Sequence, residues 1–294
     1  MLRHAFRAMG TSVTLVVDDD RAPAVAVSLA IRDVETIFER EERRYSRFRV
    51  DSELSWVNAS AGSPTTLSTP FAELVAFALE RAADSGGLFD PTVLAAVTAA
   101  GYDRDFDELM AGARGALRPP VACGRWRDVS LEGRELRLPP GVGLDLGGVA
   151  KGWTVDLAAG AAVAAGLPWA LVNAGGDLRL AGDAPSVEIE VEDPDDPDTS
   201  LARLSMAAGA LATSSTTRRA WGDGRHHLID PRTGAPSDTG IVQATVWAPS
   251  CALAEVAAKR ALLTGDTALR LGPAVLVRSD GDVRTNLRTV EASA

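Results

Sequence analysis

The segment His226-His227-Leu-Ile-Asp230-Pro-Arg232-Thr-Gly234 concentrates polar side chains in a short stretch of the chain. Histidine exchanges a proton near neutral pH, so His227 is a candidate general base or phosphate donor. Arginine binds oxyanions through several N–H groups, so Arg232 is a candidate for bracing Asp230 or for binding an anion. The run Asp-Pro-Arg-Thr-Gly is also typical of a turn, and that is the alternative interpretation.

Lysine is rare in this chain. Of 30 Lys and Arg residues, only Lys151 and Lys259 are lysines. A coding preference for Arg would replace lysine wherever either cation serves, so these two positions indicate a need for a compact, rotatable ammonium. Chance retention of two neutral lysines is the alternative.

Lys259 follows Glu255 by four residues in the apolar run 252–263, so a helix would place both on one face. A surface pair of this kind contributes about 0.3–0.5 kcal/mol. The neighbouring side chains are mostly alanine and favour close packing, so we predict that the pair is partly buried.

Gly147-Gly148 precedes a predicted helix whose first turn contains Lys151. A helix N-terminus favours an anion, and a cation there is unfavourable unless an anion is present. Asp145 is a candidate acceptor for a donor-rich ring, or simply a cap. The glycines of 173–177 would let the backbone pass near a ligand, although a plain hairpin explains them too.

The spacing of apolar residues predicts the elements that carry these groups. Helices are expected at 23–44, 70–85, about 93–100, 150–166 and 251–264. Strands are expected at 11–17, 129–131, 135–138, 169–173, 178–180, 186–191, 241–247, 274–278 and 288–291. The segments 45–58 and 103–126 read as irregular. This order predicts an α+β or mixed α/β fold around an antiparallel or mixed sheet, in a single domain spanning 1–294.

Charge and cysteine content exclude several classes of protein. The net charge of −10 argues against nucleic acid or an anionic membrane as a partner. The two cysteines lie far apart, outside any metal-binding spacing, and are expected to be buried free thiols in a reducing compartment, with a single disulfide as the alternative. Without a recognisable signal peptide, lipobox cysteine or membrane span, a cytoplasmic location is expected. The motifs of serine hydrolases, zinc proteases and P-loop proteins are missing from the sequence.

Several segments together resemble the ApbE family of FAD:protein FMN transferases. The matching segments are Met9-Gly-Thr11, the stretch 46–58, Phe89-Asp90-Pro-Thr92, 145–152 with Asp156, 173–177, 227–234 and 254–265. The resemblance covers nearly the whole chain, and the segments 145–152 and 173–177 are the most specific.

The resemblance implies an ApbE-like α+β fold with mixed or antiparallel sheets, two intertwined lobes and FAD in a cleft between the two halves of the chain. It implies that the FAD diphosphate is cleaved, that FMN is attached to a Ser or Thr hydroxyl of a target flavoprotein, and that AMP is released.

Roles for individual residues follow from the same resemblance. His227 would assist proton removal or steady the phosphate. Candidate FAD contacts are Met9, Phe48, Phe89, Asp90, Asp145, Lys151, His227 and Arg232.

The family's magnesium site would use the backbone carbonyl of Gly148 and the side chains at 255 and 259. Glu255 keeps an oxygen ligand there, whereas the Lys259 ammonium has no lone pair and repels a cation. We therefore hypothesise that Lys259, a candidate catalytic group, replaces the ion. An FAD pyrophosphatase that makes FMN and AMP, and a non-catalytic FAD-binding protein, are the alternative functions.

Overall fold

The computed structural model describes residues 1–112, 118–222 and 224–287, together with the backbone of 289–290. Its α-helices are α1 (Ala24–Tyr45), α2 (Glu53–Ala59), α3 (Thr69–Asp84), α4 (Leu94–Ala99), α5 (Phe106–Ala111), α6 (Ala150–Ala164) and α7 (Cys251–Thr264). Short 3₁₀ helices occur at Trp126–Asp128 and Gly265–Arg270. None of the described helices combines the length and apolar character that crossing a bilayer requires.

The strands are short. The first nine are β1 (Leu2–Ala8), β2 (Thr11–Val17), β3 (Pro64–Thr66), β4 (Ser130–Glu132), β5 (Glu135–Arg137), β6 (Trp169–Ala174), β7 (Asp177–Gly182), β8 (Val187–Glu192) and β9 (Ser200–Met206). The others are β10 (Gly209–Ser215), β11 (Ala220–Trp221), β12 (Arg225–His226), β13 (Ile229–Asp230), β14 (Ala235–Pro236), β15 (Ile241–Ala248), β16 (Ala274–Arg278), β17 (Val283–Thr285) and β18 (Thr289–Val290).

The chain forms two compact units, each assembled from separate segments. We call Met1–Arg40, Lys151–Arg218 and Thr239–Ala294 the sheet unit, and Glu41–Ala150 and Arg219–Asp238 the helical unit.

The sheet unit is built on an eight-stranded antiparallel sheet in the order β1-β2-β6-β7-β10-β15-β16-β17. Alternation in β2 buries Val13, Leu15 and Val17, as expected for a strand with one face on the core. Helix α7 packs against β7, β10 and β15. A three-stranded sheet, β18-β9-β8, contributes Val191, Leu204 and Met206 to a second apolar cluster with residues of the large sheet.

The helical unit contains α2 to α5, the sheet β3-β5-β4 and the hairpins β11-β12 and β13-β14. Ser68 caps the N-terminus of α3, whose apolar side chains are largely buried. A separate apolar cluster in this unit groups residues of α4 and α5 around Tyr102 and Trp221. Phe48 packs against this cluster, and the His227 ring contacts its member Tyr102.

The predicted α+β class is confirmed, and the predicted helices of 12 or more residues lie within about two residues of their expected bounds. The predicted strands 11–17 and 241–247 and the hairpin at 129–138 are also present. At 288–291 the structure describes strand β18 only as Thr289–Val290, so the remaining predicted positions lie outside the described residues.

The irregular structure expected for 45–58 and for 103–126 was wrong in part, because α2 and α5 occur there. Only Leu54 and Val57 of α2 and Leu109 of α5 are buried, which is too few to give a helical period. Strands β1, β9 and β10 were also missed. In β1 the inward side is only partly buried and includes His4, so the usual alternation is obscured.

Candidate functional site

Helices α6 and α7 of the sheet unit touch at Gly152, which we call the α6–α7 crossing. A Cβ atom on Gly152 would lie 2.6 Å from the carbonyl oxygen of Cys251 and 2.9 Å from the nitrogen of Ala252. Contacts this short do not occur, so only glycine permits the two backbones to approach so closely. The motif glycine at 152 therefore has a packing role in the structure.

Each helix at the crossing receives a carboxylate from the other. Glu255 of α7 accepts a hydrogen bond from the backbone N–H of Gly152 at 2.8 Å through Oε2. Asp156 of α6 accepts from the backbone N–H groups of Cys251 and Ala252 at 2.8 and 2.9 Å. First-turn N–H groups have no partner within their own helix, so these carboxylates satisfy them and complement both helix dipoles.

The predicted pair between Glu255 and Lys259 is present and partly buried, as expected. Lys259 Nζ donates to Glu255 Oε1 at 3.1 Å, with side chains 16 % and 2 % exposed. Desolvation alone would raise the pKa of Glu255, but the charges of Lys259 and Lys151 and the Gly152 amide hold that pKa below its usual value. Both lysines of the chain thus act on a single buried carboxylate.

Lys151, in the first turn of α6, forms an ion pair with Asp177 at the start of β7. Asp177 is 1 % exposed and Lys151 18 %. A cation in the first turn of a helix was expected to need an anion beside it. Asp177 supplies at least part of that negative charge. Asp177 closes the Asn173–Asp177 segment, in which Gly176 donates its N–H to the Asn173 side chain at 3.0 Å.

The side chains at the crossing do not fit a magnesium site. Both oxygens of Glu255 already accept hydrogen bonds, and one of the donors is an ammonium that would repel a metal ion. Both oxygens of Asp156 are occupied by backbone amides. Among the described residues, no group of three acidic, histidine or cysteine side chains is arranged to hold a metal.

Met9 lies in the tight turn between β1 and β2 with φ of 51°, and Gly10 follows with φ of 67°. Among described residues other than glycine, Met9 alone has a positive φ. Such a conformation is unfavourable for methionine and marks functional positions more often than ordinary turns. The turn packs beside the 173–177 segment, since a Cβ on Gly175 would lie 2.2 Å from Thr11 Oγ1.

In the helical unit, Arg47 joins two predicted FAD contacts. Its guanidinium lies over the rings of Phe48 and Tyr102, at 4.2 and 4.5 Å from their centroids. Nε lies 3.2 Å from Asp145 Oδ2, and NH1 donates to the Tyr102 carbonyl at 2.8 Å. Asp145 Oδ1 accepts from the Gly147 amide at 2.7 Å, which closes a turn before α6 rather than capping the helix itself. Stacking and the ion pair together fix the direction of the Asp145 carboxylate.

Phe89 and Asp90 are both buried, at 4 % exposure each. Asp90 Oδ1 accepts from the amide and hydroxyl of Thr92, whereas Oδ2 is buried without a hydrogen-bond partner among the described side-chain contacts. Burial raises the pKa of Asp90, against hydrogen bonds from Thr92 and Gly124 that lower it. Phe89 therefore belongs to the core, and Asp90 holds the turn at Thr92.

The two adjacent histidines differ in their surroundings. His226 is buried; its Nε2 lies 3.1 Å from the Ser237 carbonyl and its Nδ1 accepts from the Leu228 amide. Desolvation lowers the pKa of His226, so the ring is neutral and structural. His227 is only partly buried and makes an edge contact with the Tyr102 ring, with centroids 6.4 Å apart. Of the two histidines, His227 is the more exposed.

We call residues 226–234 the His227 turn. Arg232 braces Asp230, with Nε and NH2 donating to the carboxylate at 2.9 and 2.6 Å. Desolvation opposes ionisation of Asp230, but the hydrogen bonds from Arg232 keep its pKa below the usual value. The bracing role anticipated for Arg232 is therefore present, and its 58 % exposed side chain also remains accessible to an anion.

Sequence reasoning assigned no role to Arg47, Tyr102, Asp156 or Asp177. Arg47 is one of 28 arginines, and no spacing distinguishes it. Asp156 lies just beyond the segment 145–152, and Asp177 ends the segment 173–177. Their place beside these segments was the signal that the sequence offered for a role. Tyr102 is one of two tyrosines, but nothing in its neighbours indicates that Arg47 stacks on it.

The chain matches the model of the ApbE family over residues 9–278. It is 29 % identical over 269 residues to an FAD:protein FMN transferase of Treponema pallidum, covering 83 % of this chain and 74 % of the relative. It is 32 % identical over 224 residues to an FAD:protein FMN transferase of Rhodobacter capsulatus, covering 73 % of this chain and 42 % of that protein. Among solved structures, the ApbE protein of Thermotoga maritima aligns with a TM-score of 0.82 at 23 % identity, over 97 % and 96 % of the two chains. That likeness concerns the fold.

Proposed function

We propose that this chain, which belongs to the ApbE family, is an FAD:protein FMN transferase. It would cleave FAD, attach FMN through a phosphoester to a Ser or Thr of a target flavoprotein, and release AMP. The names of the Treponema and Rhodobacter relatives support this reading.

The observation that carries the proposal is the contrast between the two histidines. His226 is fixed as a neutral ring by two backbone partners, and this fixes the backbone on which the partly exposed His227 is presented. A general base needs both a defined position and access to the reacting group. A turn that served only to reverse the chain would use His226 but would not require His227.

In the proposed reaction, the acceptor hydroxyl oxygen attacks the phosphorus on the FMN side of the diphosphate. The new P–O bond forms as the bond to the bridging oxygen breaks, and that oxygen leaves with AMP. His227 takes the hydroxyl proton or steadies the phosphate, and the proton passes to the solvent or to the leaving phosphate. Atoms balance as FAD plus protein hydroxyl giving FMN-protein plus AMP.

The remaining candidate contacts keep their proposed roles. In the helical unit, Phe48 and Asp145 are held together by Arg47 and are proposed to contact the flavin and a donor on it. Arg232 is proposed to bind a polar group of FAD, and the buried Asp90 and Phe89 to support that site from the core. In the sheet unit, the strained Met9 and the first-turn cation Lys151 are proposed FAD contacts.

Magnesium has no step in this proposal, because Glu255 lacks a free oxygen and Lys259 would repel the ion. A backbone carbonyl such as that of Gly148 does not make a site without side-chain partners. We also propose a cytoplasmic location, which the free thiols of Cys123 and Cys251 support.

Two alternative functions stay open. The Glu255–Lys259 pair favours a protein that binds FAD without cleaving it. If water were the acceptor, the protein would be an FAD pyrophosphatase. Purified protein should be incubated with FAD, with and without candidate flavoproteins, and AMP quantified by chromatography. We expect AMP only with a suitable acceptor, whose mass increases by that of FMN less water. AMP without an acceptor would identify a hydrolase, and retained FAD without any AMP would identify a binding protein.

A further inference from the structure

We infer that the Lys259 ammonium takes the place of a divalent cation at the α6–α7 crossing, so that this protein binds the diphosphate of FAD without metal. The inference rests on the proposed function, because the diphosphate is the anion that such a transferase must hold. It concerns residues of the sheet unit alone.

The first support is the state of Glu255. Its Oε2 accepts from the Gly152 amide at 2.8 Å and its Oε1 from Lys259 at 3.1 Å. A divalent ion bound to Glu255 would displace the ammonium or lie within a few ångströms of it, where two positive charges repel strongly in a buried setting. One oxygen of the Glu255 carboxylate therefore caps α6, and the other forms the ion pair with Lys259.

The second support is the convergence of the lysines. Glu255 interacts electrostatically with both Lys259 and Lys151, although the chain places arginine at its 28 other basic positions. An ammonium is compact and carries three N–H donors, whereas a guanidinium is planar and spreads its charge. Only a compact cation resembles a metal ion in size, which explains lysine at this position.

The third support is the packing that fixes the ammonium. Lys259 is 16 % exposed, and its partner Glu255 is anchored to the first turn of α6 through Gly152. One N–H of Lys259 is donated to Glu255, and an ammonium has further donors for an oxyanion. The positive charge is thus held in one place before any ligand arrives, as a bound metal would be.

The test uses wild-type protein stripped of metal with EDTA. Mn²⁺ binding is followed by electron paramagnetic resonance with and without FAD, and FAD affinity by quenching of flavin fluorescence. We expect no stoichiometric Mn²⁺ binding and a Kd for FAD that changes less than about twofold between EDTA and excess Mg²⁺. Stoichiometric Mn²⁺, or a loss of FAD affinity in EDTA of about tenfold or more, would overturn the inference.

Variants sharpen the test. Lys259→Arg keeps the charge but not its compact shape, and we expect the Kd for FAD to rise about tenfold without any gain of Mn²⁺ binding. Glu255→Asp combined with Lys259→Thr supplies two oxygen ligands without the ammonium, and this double variant should bind Mn²⁺ and need metal for FAD. If Lys259→Arg bound FAD as tightly as wild type, a compact charge would not be needed and the inference would fail.

The measurements on wild type do not depend on whether any variant folds. They also separate this inference from the proposed function. Metal-independent FAD binding without AMP release under any acceptor would support the Lys259 inference and overturn the transferase proposal. AMP release that stops in EDTA would support the transferase proposal and overturn the Lys259 inference.

Discussion

The α6–α7 crossing and the His227 turn hold charged side chains by different means. At the crossing, Glu255 and Asp156 are each bound to backbone amides of the opposite helix, and the ion pairs of Lys151 and Lys259 each join a buried carboxylate to a partly buried lysine. In the His227 turn, one buried histidine anchors the backbone, and the groups proposed for chemistry are partly exposed. The comparison indicates that the crossing holds charge in fixed positions, whereas the turn leaves its proposed proton-transfer group, His227, partly accessible.

The largest expected effect is on catalysis at the His227 turn. His227→Ala should lower the rate of AMP release with acceptor by about 10²–10⁴-fold, because general-base assistance is lost. The free energy of unfolding should fall by no more than about 1.5 kcal/mol, since the side chain is partly exposed but its ring contacts Tyr102. Steady-state kinetics and urea unfolding measure the two. His226→Ala is the matched control. Because His226 is buried and holds the backbone, this variant should lose more of its free energy of unfolding than His227→Ala does. Equal losses of rate in the two variants, with equal stability, would remove the distinction between the histidines.

The next effect compares ion pairs in the two regions. Lys151→Met leaves the buried Asp177 without its cation and should lower the free energy of unfolding by about 3–5 kcal/mol. Arg232→Met breaks a pair whose arginine is mostly exposed, and should cost no more than about 1 kcal/mol. Urea unfolding of both variants under one buffer decides the matter. Similar losses would mean that burial does not distinguish the crossing from the turn.

Two glycines of α6 provide a smaller and cleaner test of the crossing. Gly152→Ala would place a Cβ 2.6 Å from the Cys251 carbonyl and should destabilise the protein by about 1–3 kcal/mol. Gly160→Ala meets nothing within 4 Å and should stabilise it by about 0.5–1 kcal/mol, as alanine favours helix. Thermal unfolding compares them. Stabilisation by both substitutions would contradict the close approach of the two helices.

The smallest effect is a pH dependence in the His227 turn. Burial lowers the pKa of His226, so the folded state keeps this ring neutral while the unfolded state protonates below about pH 6.5. The unfolded state then binds more protons, and the contribution of His226 is complete above that pH and lost as pH falls from about 6.5 toward its folded pKa. Urea unfolding between about pH 5 and about pH 8 should show this loss, and His226→Asn should reduce the slope.

Regular helices and their internal spacing could be predicted from the sequence. The bounds of α7 and the contact between Glu255 and Lys259 follow from a helical period of 3.6 residues. The short helices α2 and α5 bury too few apolar residues to show that period. The periodic spacing of apolar residues predicts a long helix, but a short helix has too few buried positions to show that spacing.

Contacts between distant segments were beyond such reasoning. Lys151 and Asp177 are 26 residues apart, and Arg47 and Asp145 are further apart still. Nothing local distinguishes Arg47 from the other arginines, so its stacking on Phe48 and Tyr102 needs the fold. The candidate groups themselves were recognisable by type and by resemblance, whereas the residues that orient them were not.

The exchange of caps between α6 and α7 has a consequence for hydrogen exchange. The amides of a helix's first turn normally exchange rapidly with solvent deuterium, because no carbonyl of their own helix protects them. Here Gly152, Cys251 and Ala252 donate to carboxylates that belong to the opposite helix. These amides can exchange only when the two helices separate, so the slow exchange of one should rise and fall with that of the others, as in a single cooperative unit.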